Sequence, residues 1–146
     1  MNKKWKKIIL IVIRIALAIV FIYAAIPKII DPTQFAQDID NYKILPYFAV
    51  TILAIILPWL ELLVGLFLIV GIWLPAAAFI TAALNIVFII AIASAMYRGL
   101  DIDCGCFSTG DSLVGWKRLF EDFFLLIASV YILKETLPEN EVATTK

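Results

Sequence analysis

Cys104 and Cys106 flank a single glycine in the run Asp101-Ile102-Asp103-Cys104-Gly105-Cys106-Phe107, and the chain has no other cysteine and no histidine. Four fates compete for two thiols so close: a structural disulfide, metal ligation, thiol-disulfide exchange, or no chemistry. A structural bridge here would close too short a loop to remove much entropy from the unfolded chain. Structural zinc needs four nitrogen or sulfur ligands, more than this chain supplies, whereas two thiolates can hold a soft ion such as copper(I). Redox exchange fits best. Glycine permits the turn that brings the two sulfurs together, and the small ring is strained, which raises its potential and makes it an oxidant. A substrate thiolate would attack one sulfur to give a mixed disulfide, with the other cysteine as the leaving thiolate. Asp101 and Asp103 disfavour a neighbouring thiolate, while Arg98 or Arg118 would favour it or polarise an electron acceptor.

The rest of the chain must hold that pair, and its composition says where. Of 146 residues, 64% are hydrophobic and 16% charged, with a mean hydropathy of +1.01. A soluble core of this size cannot hide so much apolar surface. Apolar runs at about 8–26, 47–69, 75–97 and 116–133 each approach the ~20 residues that cross a ~30 Å hydrocarbon layer. The expectation is an all-α integral membrane protein: a four-helix transmembrane bundle with a short extracytoplasmic interfacial helix. It would be a single domain over residues 1–135, followed by a polar tail over 136–146. The fourth run is the least apolar, because Lys117, Arg118, Glu121 and Asp122 crowd its start.

A net charge of zero gives no footprint for nucleic acid, so the placement of the charges carries the information. Lys3, Lys4, Lys6 and Lys7 precede the first run and argue for a cytoplasmic N-terminus. The long run, its interruption by Arg14 and the three further runs favour an uncleaved first helix over a signal peptide. Four crossings then put both termini in the cytoplasm and the cysteine loop outside, across a bacterial-type inner membrane, where disulfides persist. With Arg14 inside the first run set aside, the lysine and arginine count is six inside against five outside, nearly even, so the first flank decides.

In the first outer segment Asp31 is placed to cap a helix, with Pro32 at its first position and Gln34 three residues after the cap. Phe35, Ile39 and Tyr42 then form a stripe, suited to a helix lying on the membrane interface or to a re-entrant cap packed on the bundle. Arg14, Glu61 and Asn85 interrupt apolar runs, where an unpaired charge costs about 2.5–3.5 kcal/mol. Their depths predict one layer, with an Arg14–Glu61 ion pair supported by Asn85 that fixes helix register or serves a proton or ligand. Pro58 adds a kink nearby. On the fourth helix Lys117–Glu121 and Arg118–Asp122 are spaced as i, i+4 pairs.

These residues carry a resemblance. Arg14, Ala25 to Lys28 with Asp31-Pro32 and Phe35, Tyr42 to Pro46, Leu57 to Glu61 with Gly65 and Gly71, and above all Arg98 to Phe107 resemble the MauE branch of the DoxX-like membrane proteins, the methylamine-utilisation or redox-associated group. The likeness runs from about Arg14 to about Leu126 and departs at Ser108, where the family usually has glycine. It implies a four-helix bundle that helps form or maintain disulfides in extracytoplasmic proteins, beside a thioredoxin-like partner or a disulfide-containing client. The pathway named in that family is maturation of methylamine dehydrogenase. A quinone acceptor stays open because some DoxX-like relatives are subunits of quinone-linked oxidoreductases. The alternatives are a copper-type metal binder or transporter, and a non-catalytic membrane subunit.

Overall fold

The computed structural model describes residues 3–99 and 116–137, and every element in them is helical. Cys104, Cys106, Asp101, Asp103 and residues 138–146 of the polar tail lie outside the described residues. The helices are α1 (Lys3–Ile30), α2 (Pro32–Asn41), α3 (Tyr47–Val70), α4 (Leu74–Tyr97) and α5 (Trp116–Thr136). Three of them, α1, α3 and α4, are long and apolar enough to cross a membrane. At 21 residues α5 also has the length, but charges at both ends keep its composition from marking it as a span.

α1 is longer than its apolar run because it continues through Pro27 to Ile30. Its buried face, Leu17, Ala18, Phe21, Ala25 and Lys28, repeats at helical spacing. α3 runs antiparallel against that face. Gly65 sets the approach: a Cβ there would lie 2.7 Å from Ile22 Cγ1 and 3.2 Å from the Ala18 carbonyl. Further along, Gly71 ends α3 with φ +84, and its N–H donates to the Phe67 carbonyl at 2.8 Å. Only glycine adopts that left-handed cap without strain. α4 pairs chiefly with α5, and the two helix pairs meet around Leu17, Phe21, Val64, Leu68, Ala77, Ala78 and Ile132.

α2 begins as its sequence dictates, with Asp31 Oδ1 accepting from the Gln34 N–H at 3.0 Å. The Gln34 side chain does not return to the cap but donates to Asp38 at 3.1 Å. Phe35 and Asp38 are buried, and the helix packs on α3.

Candidate functional site

Where the helix pairs meet, Lys28 Nζ donates to both oxygens of Glu61, at 2.8 and 2.9 Å, with the two residues 2% and 1% exposed. Phe35 from α2 and Phe88 from α4 hold their rings 5.0 and 5.3 Å from the ammonium. Both distances suit a cation–π contact, which strengthens as water is removed. α4 adds Asn85, itself 1% exposed, whose amide donates to the Ser129 hydroxyl of α5 at 3.5 Å. A half-open cavity of about 40 Å³ adjoins the pair, lined on its polar side by Lys28, Glu61, Asn85 and Asp122. At roughly 10–15 Å³ per molecule it has room for about three or four waters. It is too small for a ligand with an aromatic ring.

The predicted layer is therefore half right. Glu61 and Asn85 line one cavity, but Arg14 does not pair with Glu61. Arg14 lies beside Gly71, about 3.1 Å from where a Cβ would be, and Gly71 is ten residues beyond Glu61, or about 15 Å along the helix. There its guanidinium reaches the Ile69 carbonyl at 3.5 Å, one of the carbonyls that a helix C-terminus leaves without an internal partner. The favourable field at that end of α3 suits a cation. Lys28 was the missed residue. Ending the first span near residue 26 assigned it to a loop, although it continues the buried stripe of Phe21 and Ala25.

The other expected charges spread along one end of the bundle. Arg98, exposed at the end of α4, donates to the Tyr42 carbonyl at the end of α2. Arg118 pairs with Glu121 at 3.0 Å across one helical turn, so Glu121 takes Arg118 rather than Lys117.

These features define a helical membrane protein with an ion pair buried in its bundle, whose two cysteines fall in the sequence between α4 and α5. Residues 6–134 match the family described as Methylamine utilisation protein MauE, and the chain belongs to that family. It is 39% identical over 118 residues to the Methylamine utilization protein MauE of Methylophilus methylotrophus, covering 79% of this chain and 62% of that protein. To the protein of the same name from Paracoccus denitrificans it is 34% identical over 122 residues, 82% of this chain and 66% of the relative. To that of Methylorubrum extorquens it is 35% identical over 99 residues, 67% and 53%. The chain thus spans about two thirds or less of the length of these relatives. No solved structure matches it.

Proposed function

We propose that this chain is a membrane thiol-disulfide redox protein that supports disulfide formation in extracytoplasmic proteins, with Cys104 and Cys106 as the exchanging pair. The observation that carries the reading is the Cys-Gly-Cys spacing within the matched span, in the connection between α4 and α5. A client thiolate attacks one sulfur of the oxidised pair and displaces the other as thiolate. The client's second thiol then resolves the mixed disulfide, so two electrons and two protons pass to the cysteines. A two-electron acceptor, either a thioredoxin-like disulfide or a quinone, restores the pair. In this reading α5 is the fourth span, supported by its burial of Ser129 and Ile132 against the other helices. The N-terminus is cytoplasmic and the cysteine loop extracytoplasmic in an inner membrane. The relatives' names make methylamine utilisation the first pathway in which to seek the client.

The test is a redox titration of the detergent-solubilised chain across a glutathione series, with free thiols trapped by alkylation and counted by mass. A reversible two-electron couple is expected, together with loss of client oxidation in Cys104→Ser and Cys106→Ser variants that still insert. Thiols that never pair, or clients oxidised normally by both variants, would overturn the reading. Thiols shielded by copurified copper would turn it to metal binding.

A further inference from the structure

α1 outruns the helices packed on it. Arg14 stands beside Gly71, where α3 ends, yet α1 begins at Lys3, about 16 Å further along the axis. Leu10 and Ile13 still pack on the core, as do Leu74 at the start of α4 and Leu133 near the end of α5. Beyond them every residue from Lys3 to Ile8 is exposed. Lys4, Ile8, Ile11 and Ile15 are spaced at i, i+4, i+7 and i+11, so they share one face, and all four are exposed. Lys3 and Lys7 flank Lys4 on adjoining turns, and Trp5, also exposed, points to the opposite side at the depth where tryptophan favours the membrane–water interface. From Lys7 to the buried Lys28 α1 runs about 31 Å, one hydrocarbon thickness. Among the described residues this end holds Lys3, Lys4, Lys6, Lys7, Arg14 and Lys134 against the single carboxylate of Glu135. At the other end the signs are mixed and paired, as in Lys43–Asp40 and Arg118–Glu121.

We propose that the first turns of α1 are a docking site for an anionic phospholipid. Its acyl chain lies along Ile8, Ile11 and Ile15, which brings the headgroup level with Lys4, and its phosphodiester oxygens accept from the ammonium groups of Lys3, Lys4 and Lys7. The lysine stems reach outward along the helix while their charges stay at headgroup depth. Each cation at an anionic membrane surface is worth roughly a fivefold gain in association. A zwitterionic lipid offers the same phosphate but carries a cation of its own, so the net charge of the headgroup decides between them. Free phosphate gains nothing from the isoleucines. A lipid held in this way pins the depth of α1 in the bilayer, and the inference is independent of what the cysteines do.

The test uses the full chain in phosphatidylcholine liposomes doped with spin-labelled phosphatidylglycerol or spin-labelled phosphatidylcholine, where electron spin resonance reads the share of each probe held by the protein. At low salt the parent should favour the anionic probe at least fivefold. In 1 M salt, where the screening length falls to about 3 Å, most of that preference should vanish. Replacing Lys3, Lys4, Lys6 and Lys7 together by glutamine should bring the ratio close to one, while replacing them by arginine should preserve it. So should Lys43→Gln with Lys117→Gln at the other end. The share of the phosphatidylcholine probe should stay constant throughout, which separates a lost charge from a disrupted bundle. No preference in the parent, a preference that survives the four glutamines, or one lost equally in the Lys43 and Lys117 variant would overturn the proposal. Displacement of the anionic probe by free glycerol phosphate would also overturn it, in favour of a site for the phosphate alone.

Discussion

Two cations on one face of α1, Arg14 and Lys28, meet opposite fates. They stand fourteen residues apart, about 21 Å along the helix. Arg14 is only partly buried, next to the end of α3, and reaches a main-chain carbonyl at a long 3.5 Å. Lys28 is 2% exposed and grips a carboxylate with two short hydrogen bonds between two aromatic rings. The difference teaches that depth, not residue type, sets the demand for a partner. Near a helix end partial dipoles and solvent suffice, whereas inside the bundle only a full counter-charge offsets the loss of water.

The largest effect should come from separating the inner pair. Lys28→Ala or Glu61→Ala leaves one buried charge alone and should cost about 3–5 kcal/mol, whereas Lys28→Met with Glu61→Leu should return close to the parent. Thermal unfolding in lipid nanodiscs reads both. If the single variants were as stable as the double, the pair would not be desolvated as its geometry indicates. Between the two cations, Gly65→Ala would push its Cβ onto Ile22 and the Ala18 carbonyl, at about 1–3 kcal/mol for an overpacked contact. The same substitution should loosen the α1–α3 approach that lets Lys28 reach Glu61, and a crosslinking distance between the helices would record it.

How much of this was legible in the sequence follows from the range of the forces involved. Apolar runs and Asp31-Pro32 act locally, so the helices and the start of α2 could be read directly. The polar layer needed helix register, and register came from Gly65 and Gly71, whose packing partners lie on another helix. Depth arithmetic therefore brought Glu61 and Asn85 together but chose the wrong cation. Lys28 carried a usable signal in its place on the stripe with Phe21 and Ala25, hidden by ending the first span near residue 26. α5 stays the least legible because Lys117, Arg118, Glu121 and Asp122 dilute its apolar character, and its fit is visible only in packing. The cysteine pair was legible as chemistry alone.

The aromatic shell is the next contrast between the two cations, since Phe35 and Phe88 flank Lys28 alone. Phe35→Leu or Phe88→Leu keeps apolar bulk and removes the ring, and should cost about 0.5–2 kcal/mol. A loss in Phe35→Leu alone would mean that α2 holds Lys28 as a lid while α4 merely stands near it. Thermal unfolding of the two variants and their combination separates these cases.

The smallest effect belongs to Arg14. If its guanidinium acts as a helix-end cation, Arg14→Gln should cost only about 0.3–1 kcal/mol, and Arg14→Lys should recover most of that. An ion pair in the bundle would behave differently: the glutamine variant would fall by several times as much, and adding Glu61→Gln would rescue it. A double-mutant cycle between residues 14 and 61 decides the point. Coupling near zero is expected, because the nearest contacts of Arg14 lie at Ile69 and Gly71, well beyond the reach of Glu61. The same cycle between residues 28 and 61 should give a large coupling, since each removal there strands the other charge. Two cycles sharing one carboxylate thus measure how steeply the need for a counter-charge rises from the end of the bundle to its centre.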